Sequence, residues 1–261
     1  MESSSDTATG SSNTLFFNGG KMSHIFEWSD DFRYKSEGKL ASPEAEQALL
    51  HGDIFYKIDG ANGMLQVVVQ GAAPVLRAHE RLDTKGKDLL KDKTNDKSLI
   101  PLPPGQNPSE HSGHSYVYEQ VTTDVPGKKL KKRNQAMLDI MNRHASYLVG
   151  LGRAYISVEW VGRKFQQTPG VNVDVAMVIH EDQRLEDVEV ERSYVGIYKF
   201  LWEDCADQPV EGLIFAHKGK YYKVISEKMA PPNNDKETAT STPACPFKTK
   251  RDKARAPIYL S

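Results

Sequence analysis

"DIFYKIDGANGMLQVVVQG" (residues 53–71) is the stretch on which the reading of this chain turns. "DIFYKID" and "GMLQVVVQ" read as strands, and "GANG" between them has turn chemistry, so the segment predicts a β-hairpin. Lys57 and Asp59 lie inside it, where a half-buried strand should hide apolar side chains. Burying an amine costs desolvation. Burial or a neighbouring cation lowers a lysine's pKa from about 10.4 and so favours the nucleophilic amine. Asp59 shares a strand face with Lys57 and can meet a ribose hydroxyl, a metal-bound water or the amine itself. Gly60 leaves room for a ligand beside the backbone. Alone, Lys-x-Asp-Gly is a weak signal: roughly one chain in twenty of this length carries it by chance. Its plainest reading is an edge lysine paired with a turn aspartate.

Upstream, "SPEAEQALLHG" (42–52) predicts a helix with Ser42 as N-cap, Pro43 at its first position and Gly52 at its end. "SHIFEWSDDF" (23–32) reads as a first strand or a docking segment. Downstream, "APVLRAHERLD" predicts a third strand, and the charged, then Pro/Gly-rich residues 84–113 a loop or insertion. "SYVYEQVTT" is strand-like. "KRNQAMLDIMNRHASYLVGLG" carries Met137, Ile140, Met141 and Leu148 at helical spacing. "AYISVEWVG" and "VDVAMVIH" read as strands, "VGIYKFLWED" fits helix or strand, and "VEGLIFAHKGKYYKVIS" predicts a hairpin. The pattern is α+β with mainly antiparallel strands. The organisation expected is a disordered tail over 1–20, a catalytic domain over 21–230 and a flexible basic tail over 231–261.

Charged residues make up 26% of the 261-residue chain against 38% hydrophobic ones, the balance of a soluble globular protein with polar tails. No apolar run reaches membrane-span length, and the N-terminus lacks the basic and apolar regions of a secretory signal. Cys205 and Cys245 form no zinc-binding spacing, which argues against a structural zinc site. A cytoplasmic or nuclear, monomeric protein is the default expectation. The net charge of −1 gives no bulk attraction for polyanions, but "GKKLKKR" clusters Lys128, Lys129, Lys131, Lys132 and Arg133. Such a run reads as a solvated face or as a phosphate-binding, RNA-tracking patch.

Further pieces follow Lys57 in a set order. "RAHERLD" offers Arg77 and Arg81, "ISVEWVG" Glu159, "VEGLIF" Glu211 and Gly212, and "KYYKVIS" Lys223. The spacings are roughly a hundred residues from Lys57 to Glu159, about fifty to Glu211 and about a dozen to Lys223. Two such matches arise by luck; five in order, each on a strand or strand end, do not come easily from packing. The series resembles motifs I, III, IV and V of the covalent nucleotidyltransferase superfamily, which includes ATP-dependent ligases and mRNA capping enzymes. Asn62 in "KIDGAN", the "VEWVGRKFQQTPGVNVDVAMVIH" region and "WEDCADQPVEGLIF" look most like the eukaryotic 5′-3′ RNA ligase family. The likeness covers about residues 50–228. It is strong at the motifs and thin between them.

The resemblance implies a nucleotidyltransferase (ligase adenylation) domain, with two mainly antiparallel sheets around an ATP cleft. It implies a lysine–AMP intermediate on Lys57, with Lys223 and Arg81 on phosphate oxygens. Glu159 would hold the ribose or a metal-bound water, and Glu211 Mg²⁺ or Mn²⁺, with Asp59, Gly60 and Asn62 shaping the nucleotide site. The expected reaction joins RNA 5′-phosphate and 3′-hydroxyl ends. Two departures stand out. Tyr56 occupies the place where such ligases often carry a glutamate against adenine, and Ile225 that of motif V's second basic residue, for which Lys220 or Lys228 would have to substitute. No stretch after residue 230 matches the OB-fold that DNA ligases and capping enzymes append. DNA nick ligase and GTP-dependent capping guanylyltransferase are the alternatives within the superfamily, and the missing OB-fold counts against both. A degenerate nucleic-acid-binding module is the alternative of another class.

Overall fold

The stretch 53–71 does not form a hairpin. The computed structural model describes residues 22–70, 73–85, 99–100, 114–125, 127–165, 172–186, 189–206, 208, 210–232 and 258–261. In it β2 (Asp53–Lys57) and β3 (Ala61–Gln70) belong to different sheets. β2 pairs antiparallel with β9 (Gly212–His217), setting Lys57 opposite Gly212, whereas β3 pairs antiparallel with β4 (Ala73–Lys85). Residues 58–60 carry the chain from one sheet to the other, and Ala61, Asn62 and Gly63 of the predicted turn already belong to β3. The fold is mixed α+β, with two sheets and a few helices.

The chain divides into two units, one of Met1–Gly20 with Asn62–Val158, the other of Lys21–Ala61 with Glu159–Ser261. In the first, β5 (Leu99–Ile100), β6 (His114–Gln120), β4, β3 and β7 (Tyr155–Val161, whose residues from 159 on belong to the second unit) follow one another across the sheet. Register places His79 opposite Met64 and Gln120, and Arg81 opposite Tyr118, so these side chains share a face. Met64 and Tyr118 are buried there against Tyr155, and the Tyr118 hydroxyl donates to Asn62 Oδ1 at 2.9 Å. On the opposite face Glu80 accepts from Arg133 of α2 (Lys128–Arg143) at 2.6 Å. A short helix, α3 (Ala145–Gly150), follows.

In the second unit β1 (Ser23–His24), β10 (Lys220–Ile225), β9 and β2 make a four-stranded sheet, parallel only between β1 and β10. Ile54, Tyr56, Leu213, Phe215, Tyr222 and Val224 face the core. Covering them are α1 (Pro43–His51) through Ala45, Ala48 and Leu49, and α4 (Tyr194–Lys199) with the π-turn after it through Ile197, Phe200 and Leu201. α1 starts as its sequence predicts: Ser42 Oγ accepts from the Ala45 N–H at 3.1 Å and Pro43 opens the helix. β8 (Ala176–Ile179) lies beside β7. The tail expected to stay loose to residue 261 is held at its end, because Leu260 bridges Met177 of β8. The expected N-terminal tail and the bulk of the insertion lie outside the described residues. Among the described residues no helix is long and apolar enough to cross a membrane.

Candidate active site

Alternation along β2, β9 and β10 decides what meets at Lys57. With Tyr56, Leu213 and Val224 turned to the core, Phe55, Lys57, Gly212, Ile214, Lys223 and Ile225 share the opposite face. Lys57, Gly212 and Ile225 form one cross-strand row; Phe55, Ile214 and Lys223 form the next. Lys223 therefore lies two strands from Lys57 and one pleat along, about 12 Å between Cα atoms, on strand spacings of about 4.8 Å and a rise of about 3.3 Å per residue.

Glu211 is fixed by its backbone. Its N–H donates to the Lys57 carbonyl at 2.8 Å, and its own carbonyl accepts from the Ser226 N–H and hydroxyl, each at 2.8 Å. Its carboxylate pairs with the Lys57 ammonium. Both side chains keep about a fifth of their surface open (21% and 23%), enough for an incoming ligand to reach the pair. Gly60 makes a close approach of another kind from the one expected. A Cβ there would stand 2.6 Å from the Trp160 carbonyl and 2.8 Å from Glu159 Cγ. It is the protein's own β7 that occupies the space, and Gly60 is what brings the Lys57 segment against Glu159.

Glu159 Oε2 lies 3.1 Å from His180 Nε2, and both side chains are nearly buried. Burial, and next the Glu211 carboxylate, raise the Asp59 pKa above the ordinary carboxylate range. Lys57 opposes them, while Glu159 and Glu227 add to the rise. The cluster thus holds more carboxylate than neighbouring cation. It suits a divalent ion or a ligand bringing its own cation, and its donors are the hard oxygens that Mg²⁺ or Mn²⁺ takes. No group of three or more His, Cys, Asp or Glu side chains that would hold a metal occurs among the described residues. Water and phosphate oxygens would have to complete any such shell.

A raised carboxylate pKa destabilises the ionised folded state. The cost is absent below the unfolded-state pKa and grows as pH rises through the folded one. Asp59→Asn is therefore expected to raise Tm at pH 7 and to leave it unchanged near about pH 3. Thermal unfolding of both proteins at the two pH values checks this.

The second unit thus collects Lys57, Asp59, Gly60, Glu159, Glu211 and Lys223. Asn62 and Arg81 belong to the first unit. Tyr56, expected at the base-binding position, instead faces the core, stacked on Phe200 at 6.4 Å. A residue adjacent to Lys57 on a strand must point the other way. Trp160 is wholly buried, in line with its reading as core. Of the basic run, Lys128, Lys129, Lys131 and Lys132 are exposed on the first turns of α2, whereas Arg133 is turned inward to Glu80. The sequence reading missed His180, whose spacing from Glu159 is set by strand pairing and resembles no ligand motif.

A scan of the sequence against protein-family models gives no match, and a search of the curated proteins gives none either.

Proposed function

We propose that the chain is an ATP-dependent RNA ligase that works through AMP linked to Lys57. The observation that carries this reading is the placing of Lys57, the partner of Glu211, on one sheet face with Lys223, next to Asp59. Before it can attack, the Lys57 amine must leave the Glu211 carboxylate and shed a proton. Nζ then forms a bond to the α-phosphorus of ATP, and the bond to the bridging oxygen breaks, with the electron pair leaving on pyrophosphate. In the second step a 5′-phosphate oxygen of RNA attacks the same phosphorus and the Nζ–P bond breaks. In the third a 3′-hydroxyl oxygen attacks the activated 5′-phosphate and AMP departs. Each displacement rests on positioning and charge neutralisation. Lys223 supplies a cation toward the phosphate oxygens. Glu211 and Glu159 are the oxygen donors that would hold Mg²⁺ or Mn²⁺, which when bound neutralises phosphate charge. His180 fixes the Glu159 carboxylate, and Asp59 shapes the floor beside the lysine.

The test is incubation with α-³²P-labelled ATP or GTP and Mg²⁺, followed by a denaturing gel and a chase with 5′-phosphorylated RNA or DNA. Label from ATP that passes to RNA supports the ligase. Label from GTP alone moves the reading to capping chemistry, passage to DNA alone to nick sealing, and no label from either to a nucleic-acid-binding module.

A further inference from the structure

Gln183 is a buried amide, 2% exposed, that spends itself on backbone both four residues back and far away in the sequence. Its Nε2 donates to the Ile258 carbonyl at 3.1 Å and to the Ile179 carbonyl at 3.2 Å, while its Oε1 accepts from the Ile258 N–H at 3.1 Å. Two residues on, Leu260 and Met177 exchange N–H···O bonds in both directions, at 2.9 and 2.8 Å. Between them Tyr259 packs on the core of the unit. The chain does to itself, on a small scale, what peptide recognition by strand addition does: one antiparallel bridge joins Leu260 to Met177, and the Gln183 amide takes the backbone groups of Ile258. Backbone bonds hold the segment, and alternate side chains select it.

The attachment is small. Four hydrogen bonds hold residues 258–260 to Met177 and Gln183. The Tyr259 hydroxyl is buried without a hydrogen-bond partner among the described residues. Docking therefore carries a desolvation cost that release would remove. Segments held in this way open locally without global unfolding.

What Gln183 sits in gives the attachment its consequence. The run 180–185 touches the candidate site at one end and β2, the strand that carries Lys57, at the other. His180 holds Glu159 at 3.1 Å. The Leu185 N–H donates to the Ile54 carbonyl at 2.8 Å, Arg184 bridges Phe55, and the Arg184 guanidinium meets Asp53 at 2.7 Å. Two residues beyond Phe55 the same strand presents Lys57.

We propose that residues 258–260 are a detachable strap, which completes the edge of β8 and, by pinning Gln183, holds the run 180–185 and with it Glu159 and β2 in the arrangement that serves Lys57. The ligand this edge takes is an extended peptide with an N–H and C=O exposed to Gln183, followed by an aromatic and an apolar residue. The link to catalysis rests on the Lys57 reading; the docking does not.

A chain ending at Pro257 and a labelled peptide of residues 256–261 (APIYLS) test it, with Gln183→Ala and Ile258→Pro made in the full-length chain. The peptide should bind the shortened chain saturably by fluorescence anisotropy, and not bind a shortened chain that also carries Gln183→Ala. Hydrogen exchange at the Leu185 amide should speed at least tenfold in the shortened chain and recover when peptide is added. It should speed likewise in both full-length variants, which keep the test open if the shortened chain does not fold. Lys57 labelling should fall and recover with it. Unchanged Leu185 exchange in the full-length variants, or no saturable binding to a folded shortened chain, overturns the strap. If exchange and peptide binding behave as expected while the intact chain takes no label from any nucleotide, the strap stands and the ligase reading falls.

Discussion

Replacing Lys57 by arginine should abolish covalent labelling by nucleotide while leaving the fold in place. Arginine keeps the positive charge and the reach to Glu211, so the pair that neutralises this carboxylate survives. What it loses is a nitrogen that can be deprotonated, since a guanidinium stays charged at any pH a protein tolerates. The expected fall is at least about 10³-fold in labelling rate, equivalent to about 4 kcal/mol of barrier. Lys57→Ala should label no better, but it is the less informative variant. It leaves Glu211 without its ammonium beside Asp59, whose pKa burial and the other carboxylates already raise, so part of any loss would be structural. Lys223→Ala should slow labelling without ending it, because a cation aimed at phosphate oxygens stabilises charge and forms no bond. Label retained in Lys57→Arg but absent from Lys223→Ala would sink the assignment of the nucleophile. Peptide mapping of the labelled lysine reads the difference directly.

The elements were legible where local chemistry decides them. Ser42, Pro43 and Gly52 mark α1 because a cap and an N-terminal proline act within one turn. The hairpin of β9 and β10 declares itself through two apolar runs and a short turn. The candidate site was partly legible for the same reason: Lys57 and Lys223 lie on strands whose alternation can be read, and Glu211 immediately precedes one. Partner choice was not legible. A two-strand segment with "GANG" in it looks the same whether the strands pair with each other or cross between sheets. Here β2 finds β9 more than 150 residues away, as the Lys57–Glu211 separation of 154 positions shows. The orientation of Tyr56 was not legible from the resemblance, which names a position while strand alternation sends the side chain to the core. Arg133 was grouped with its lysine neighbours by charge, yet a half-buried Glu80 on β4 claims it. His180 and Gln183 were invisible as chemistry. Each is a polar residue in the turn that follows an apolar strand, and its distant partner, Glu159 for His180 and Ile258 for Gln183, comes only with the tertiary fold.

Gly212→Ala should cost about 3 kcal/mol of stability, the upper range for overpacking a site that cannot relax, and lower Tm by roughly 6–12 °C for a chain of this size. A Cβ at Gly212 would stand 1.9 Å from the Val224 carbonyl oxygen and 2.9 Å from its carbon. These are backbone atoms of β10, the strand paired with β9, so no rotamer change relieves the overlap. Either the two strands part at the Gly212–Ile225 pair or β9 shifts, and β2 lies on β9's other side with Lys57 opposite Gly212. The sequence reading takes this glycine as part of a nucleotide-site motif. The packing gives it a duty that exists before any ligand arrives, namely letting β10 come close enough for Ser226 to hold the Glu211 carbonyl. The two duties separate in one experiment. Thermal unfolding of Gly212→Ala beside Lys57→Arg should show a large drop in the first and almost none in the second, with labelling lost in both. A Gly212→Ala protein with unchanged Tm would mean that Val224 moves aside at little cost, and the glycine would then have to be explained by what approaches Lys57 from outside.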